Sequence, residues 1–190
     1  MDINDTALIL YKQDNGKTNR RLALLSKEQG LIWATAFGAA TGRRAALSNP
    51  YSLAEIKLEK KGDFLNIIDV KLSHHFNLPT LKNFYLASFF SEAIITSWAG
   101  GGDKRFFNLY NSLFTALEAN KPNILPCFLI YFLHFNGLLP QAFFTDNELK
   151  LIASQNYEQV YRQSWPKQPQ LLALLKKNFK LKSLTLIDEN

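Results

Sequence analysis

The chain has 190 residues, 47% of them hydrophobic and 20% charged, which suits one large domain or two small ones and argues against disorder. A net charge of +6 and a pI near 9.4 fit a polyanionic partner without requiring one. Cys127 is the only cysteine, which excludes an intramolecular disulfide and a four-cysteine zinc site, and His74, His75 and His134 have no cysteine companions for a metal cluster.

The first part of the chain is punctuated like a β domain. Thr6 to Gln13 is a strand candidate, and Asn15-Gly16 is a strong hairpin signal because both residues tolerate positive φ. Arg21 to Ser26 returns, Gly30 turns the chain, and Leu31 to Phe37 forms a third strand. After a Gly/Ala/Arg loop and Asn49-Pro50, Tyr51 to Lys60 alternates, with Leu53, Glu55, Lys57 and Glu59 between Ala54, Ile56 and Leu58. Gly62-Asp63 is a turn, and Phe64 to Leu72 is the fifth strand. Five short antiparallel strands in this length suit a small closed barrel, most commonly an OB-fold.

From Pro79 the period becomes helical. Leu81, Phe84, Tyr85, Phe89, Phe90, Ile94 and Trp98 mark one helix, ended by Gly100-Gly101-Gly102. Phe106, Phe107, Tyr110, Leu113, Phe114 and Leu117 mark a second, closed by Asn120-Lys121-Pro122. Ile124 to Phe135 is apolar nearly all round and reads as a central buried helix. Thr145-Asp146-Asn147-Glu148 has the form of a capping box. Trp165-Pro166 and Pro169 break the chain before a last helix, Gln170 to Leu181. The expected fold class is therefore β then α: an OB barrel over residues 1–79 and an all-helical domain over 80–190.

The acidic start has no apolar core of a signal peptide. The longest apolar run, Phe128 to Leu139, is interrupted by His134, Asn136 and Gly137 and falls short of a bilayer span. The chain reads as soluble and cytoplasmic, with no membrane partner.

No phosphate loop, GxSxG elbow or HExxH helix occurs, and Gly38-x-x-x-Gly42 is followed by Arg43-Arg44 instead of lysine and a hydroxyl. Asp63 and Asp69 are spaced for one strand face, but a turn residue and a solvated strand position account for them. His74-His75 reads as two polar residues closing a strand, and Cys127 as a small buried hydrophobe. The crowd of Phe84, Tyr85, Phe89, Phe90, Phe106 and Phe107 is spaced as helix core. We expect no catalytic residue, no metal and no cofactor.

The basic residues are the better candidates. Lys17, Arg20 and Arg21 flank the first hairpin, and Arg43 and Arg44 end a loop between strands, where OB barrels commonly meet nucleic acid. Trp33 and Phe37 are either stacking platforms for bases or barrel core. Lys176, Lys177, Lys180 and Lys182 form an acid-free run at the last helix, a face for phosphate or an acidic peptide, or simply favourable charge at a helix end.

The order Gly16-x-Thr18-x-Arg20, Leu24-Leu25-Ser26-x-x-x-Gly30, Gly38-Ala39 and Leu47-x-x-Pro50-Tyr51 resembles the start of RecO, the bacterial recombination mediator family. Leu86-Ala87-Ser88-Phe89-Phe90-Ser91-Glu92 is similar to a family helix. Phe128-Leu129-Ile130-Tyr131-Phe132-Leu133-x-x-x-Gly137 is similar to its Leu-rich central helix, and Leu181-Lys182-Ser183 to its closing segment. The resemblance spans essentially the whole chain and implies an OB-fold followed by a helical domain. It implies binding of single- and double-stranded DNA, annealing of complementary strands, and partnership with RecR in DNA repair. It also implies contact with the acidic tail of single-stranded-DNA-binding protein, so that RecA is loaded. Lys17, Arg20, Arg21, Arg43, Arg44 and Trp33 would then face DNA, and Lys176, Lys177, Lys180 and Lys182 the acidic tail. A general OB-type module for single-stranded DNA or RNA is the alternative. The chain departs from the family in three places. The four-cysteine zinc module is missing around Pro140 to Thr145. Phe37-Gly38-Ala39-Ala40 stands where Lys-Gly-Ala-Arg is frequent, and Pro126-Cys127 where the family often has basic residues.

Overall fold

The computed structural model describes residues 2–39, 49–97 and 102–183. Arg43, Arg44, Leu47, Trp98 and Gly100-Gly101 lie outside the described residues. The chain divides into two compact units, Met1–Asn77 with Ser97–Asn108, and Leu78–Thr96 with Leu109–Asn190.

The first unit is built from β1 (Asp2–Asn15), β2 (Asn19–Ser26), β3 (Gly30–Ala36), β4 (Ser52–Lys61) and β5 (Phe64–His75). They close into a barrel in the order β1-β2-β3-β5-β4. β1 serves two neighbours: Asp2 to Ile9 pairs with β4, and Ala7 to Asn15 pairs with β2. Four of the joins are antiparallel. The fifth, β3 with β5, is parallel and registers only Ala34 with Leu65 and Thr35 with Asn66. The expectation of an antiparallel set throughout is corrected at this join. Hairpin chemistry reveals neighbours in sequence, whereas this pairing is set by ring closure.

The core of this unit is Ala7, Ile9, Leu22, Leu24, Ala34, Ala36, Ala39, Ala54, Ile56, Leu58 and Ile67. Alternation in β4 behaves as its sequence indicates, with Ala54, Ile56 and Leu58 buried. Asp63 and Asp69 are both exposed, one in the β4–β5 turn and one on β5. Ser97–Asn108 belongs to this unit for a local reason. Gly102 lies so close to the Glu28 carbonyl that a Cβ there would collide with it, and Lys104 pairs with Glu28 at 3.0 Å.

The second unit draws on α1 (Leu81–Ser97), α2 (Lys104–Glu118), α3 (Ile124–Phe135), α4 (Asp146–Ala153), α5 (Tyr157–Arg162) and α6 (Gln168–Asn178). Its core is aromatic. Phe128 on α3 lies 4.4 Å from Phe90, 5.0 Å from Phe132 and 5.3 Å from Phe89, ring centroid to centroid. Offset and edge-on pairs of this kind add to the area they bury. The Tyr110 hydroxyl, fully buried, donates to the Phe90 carbonyl at 2.7 Å, as a buried phenol must find a partner. Cys127 is buried, and that burial pushes its thiol up, so it acts as a small hydrophobe.

The Thr145 capping box forms, with the Thr145 N–H donating to Glu148 at 2.7 Å and the Glu148 N–H to the Thr145 hydroxyl at 3.4 Å. Two expectations need correction, and one helix was not expected. Phe84 is 48% exposed and Leu81 66%, so the start of α1 is not core. The six-residue α5 was not legible from periodicity, being held by the Asn156 side chain accepting from the Gln159 N–H at 3.2 Å. The last helix begins at Gln168, because Pro169 is tolerated in a first turn, and ends at Asn178. Among the described residues no helix is long and apolar enough to cross a membrane.

The end of the described chain is fastened at Glu92 on α1. Its carboxylate accepts the N–H of Lys182 at 2.7 Å, the N–H of Ser183 at 2.8 Å and the Ser183 hydroxyl. Partial burial pushes this carboxyl up, but the bonds from Ser183 and Lys182, with the Lys182 charge, outweigh it and leave it below the ordinary value of 4.5. Its stabilising contribution is therefore complete at neutral pH and is lost as pH falls through the acidic range below that value. Glu92→Gln, which keeps the size and removes the charge, is expected to cost about 2 kcal/mol in urea unfolding at neutral pH. The gap between variant and wild type should shrink as the acid range is entered; a gap independent of pH would show that the charge is not what holds the segment.

Candidate nucleic-acid interface

Strand alternation decides which of the basic residues of the first hairpin act together. Arg21 pairs with Gln13 on β1 and Thr35 on β3, and Ala23 pairs with Tyr11 and Trp33. These residues share the outer face of β1, β2 and β3. Tyr11 reaches that face only because β1 is bulged between Ile9 and Tyr11. Ile9 points into the core, and without the extra residue Tyr11, two positions on, would point inward as well.

On this face the Arg21 guanidinium lies over the Trp33 ring, 4.9 Å from its centroid. Tyr11 meets the same ring edge-on at 6.3 Å. Tyr11 is 48% exposed, Arg21 is exposed and Trp33 is half-buried. Phe37, just past β3, is 53% exposed. Of the two roles left open for Trp33 and Phe37, barrel core is excluded: neither belongs to the core cluster. A cation stacked on a half-buried aromatic, with an exposed ring beside it, offers both components of single-strand recognition, base stacking and phosphate neutralisation.

Arg20, one residue away, is on the opposite side of the sheet. It pairs with Asp14 at 3.2 Å, donates to the Asn19 carbonyl at 3.0 Å, and its side chain is only 16% exposed. The structure thus separates Arg20 from Arg21, which the sequence had grouped. Lys17 is exposed in the Gly16-Lys17-Thr18 loop at the hairpin end. Gly16, at φ 76°, takes the left-handed conformation that the turn needs. The Asn19 side chain accepts the Gly38 N–H at 3.1 Å and so fixes this hairpin to the residues after β3. Arg43 and Arg44 fall outside the described residues. The sequence reading did not single out Tyr11, Lys60, Lys61 or Phe64. The last three flank the β4–β5 turn and are exposed, Phe64 to 75%.

In the helical unit Lys176 and Lys177 occupy the last turn of α6, and Lys180 and Lys182 follow its end. Folding brings an acid to this run: Lys182 lies within electrostatic range of Glu92. A pocket of about 410 Å³ opens elsewhere in the same unit, lined among others by Lys82, Tyr85 and Leu86 of α1 and by Lys121, Asn123 and Ile124. Lys121 is partly engaged there, 2.5 Å from Glu158 and 5.7 Å from the Tyr161 ring centroid. Among the described residues no group of three or more His, Cys, Asp or Glu side chains is gathered as for a metal ion. No protein-family model matches the chain, and no curated protein matches it significantly.

The Arg21–Trp33 contact is exposed, so its coupling should be small. A double-mutant cycle with Arg21→Ala and Trp33→Ala is expected to give about 0.5–1 kcal/mol in denaturant unfolding. Zero coupling, with the Trp33 emission unchanged by Arg21→Ala, would mean the two side chains are not stacked in solution.

Proposed function

We propose that the chain is a non-enzymatic DNA-binding recombination mediator of the RecO kind, with the strand unit an OB-fold whose outer face holds DNA. The observation that carries this reading is the Arg21–Trp33–Tyr11 cluster on the outer face of β1, β2 and β3. The strand order and the parallel β3–β5 join agree with OB topology, and OB-folds bind oligonucleotides on the face of strands 2 and 3 and on the loops after strands 1 and 4. Those loops here carry Lys17 and, beside the turn, Lys60, Lys61 and Phe64. A second support comes from the helical unit. Two separate segments that carry the RecO resemblance, one ending in Glu92 and the other Leu181-Lys182-Ser183, meet through the Glu92 carboxylate.

On this reading the protein binds single and double strands, speeds their pairing, and works with RecR and RecA on strands coated by single-stranded-DNA-binding protein. Annealing is the decisive experiment. The mediator should accelerate pairing of complementary oligonucleotides and be retained by RecR in a pull-down; a general single-strand-binding module should slow pairing by coating the strands. Phosphate contacts should come from Lys17 and Arg21, so Ala at both is expected to flatten the log–log salt dependence of single-strand binding by roughly 1.4 units. Arg20→Ala, already paired with Asp14, should leave the slope near wild type.

For the acidic tail, the Lys82/Lys121 pocket is the better-formed receptor: it offers an apolar wall of Leu86 and Ile124 with lysines around it. Titrating a labelled tail peptide compares it with the α6 site. Lys82→Glu with Lys121→Glu should abolish binding at low salt, whereas loss only in Lys176→Ala with Lys180→Ala would return the site to the end of α6.

A further inference from the structure

Phe64 is the most exposed large hydrophobic side chain among the described residues, at 75%. A single exposed apolar residue is ordinary on protein surfaces; its place in the sheet is what gives it meaning. It opens β5 directly after the Gly62-Asp63 turn, opposite Lys61. Leu65 packs against the core and pairs with Ala34, so Phe64, one residue earlier, stands on the outer face. The parallel register of Ala34 with Leu65 puts Phe64 level with Trp33 on the neighbouring strand. On the other side Trp33 pairs with Ala23, and Ala23 with Tyr11.

The outer face therefore carries a row across four strands: Tyr11, the small Ala23, Trp33 and Phe64. From β1 to β5 the row spans three strand spacings, about 14 Å. Cations flank it, Arg21 over Trp33 at 4.9 Å and Lys60 and Lys61 at the turn beside Phe64. Aromatic rings set in a row, with positive charge beside them, suit a single strand whose bases are turned toward the protein. A duplex keeps its bases stacked and offers no faces to such a row.

We infer that Phe64 is a base-stacking residue, the third platform of a single-strand site that crosses the sheet from β1 to β5 and favours single strands over duplex. This rests on the reading that the outer face binds nucleic acid. Phe64 contributes ring contact and no charge, so its loss should separate from the effects of the basic residues.

The test uses the full chain and two probes, oligo(dT) and a duplex of the same length. Phe64→Ala is expected to weaken oligo(dT) binding about tenfold, with the duplex affinity and the salt slope unchanged. Phe64→Trp should restore affinity and add an emission quenched by oligo(dT). Two results would overturn the inference in different ways. If Phe64→Ala binds oligo(dT) as wild type while Trp33→Ala weakens it, Phe64 lies outside a site that otherwise stands. If neither Trp33→Ala nor Arg21→Ala changes binding, the outer face is not a nucleic-acid surface and the underlying reading fails with it.

Discussion

A ring of five strands encloses very little volume, and most of the first unit follows from that constraint. Small rings must be filled by side chains that fit a narrow interior. Here five of the eleven core residues are alanines, Ala7, Ala34, Ala36, Ala39 and Ala54, and none is aromatic. The large rings of Tyr11, Trp33, Phe37 and Phe64 are not part of this cluster. They are exposed or half-buried. The second unit has the opposite economy: helices packed side by side leave room for Phe89, Phe90, Phe128 and Phe132, all fully buried. The helical unit thus uses its aromatics as filling, whereas the first unit keeps these four rings outside its core cluster and buries others, Tyr51 and Phe76, next to the ends of β4 and β5.

Once rings stand outside, alternation sorts the charges. Arg21 and Trp33 are diagonal neighbours on one face, which brings the guanidinium over the indole. Arg20 is committed to Asp14 on the other face. Two adjacent arginines therefore have different physical roles. An arginine held against an aromatic keeps its charge available to a phosphate while its plane is already oriented, whereas one in a partly buried ion pair must first give up its partner.

The sequence made the coarse architecture legible, strands followed by helices, because hairpin turns and helical periods are local signals. The Thr145 capping box, the buried α3 and the alternation of β4 were readable for the same reason. What escaped was set by long-range geometry. The parallel β3–β5 join has no turn signal. Tyr11 was hidden because its spacing from Ala7 and Ile9 puts it on the inner face until the bulge reverses the phase. Phe64 was counted as the start of a strand, and only the register with β3 gives it neighbours. Arg20 and Arg21 were grouped by adjacency, the relation that a strand breaks.

The same distinction between local and long-range signals bears on the family resemblance. Short matches such as Leu-Lys-Ser carry little weight one at a time, since each is met by chance in many chains. Folding adds a different kind of relation: segments far apart in the chain meet in space through specific bonds. Glu92 and Lys182-Ser183, some ninety positions apart, do so. The bond set is directional, a carboxylate facing two consecutive backbone N–H groups and a hydroxyl, and only a carboxylate at that point on α1 satisfies all three. An aspartate would be one methylene too short to reach them, and a glutamine would present an N–H to donors. The pairing of a glutamate in one segment with a serine in the other is thus a physical dependence between them, of a kind that spacing in the sequence alone does not supply.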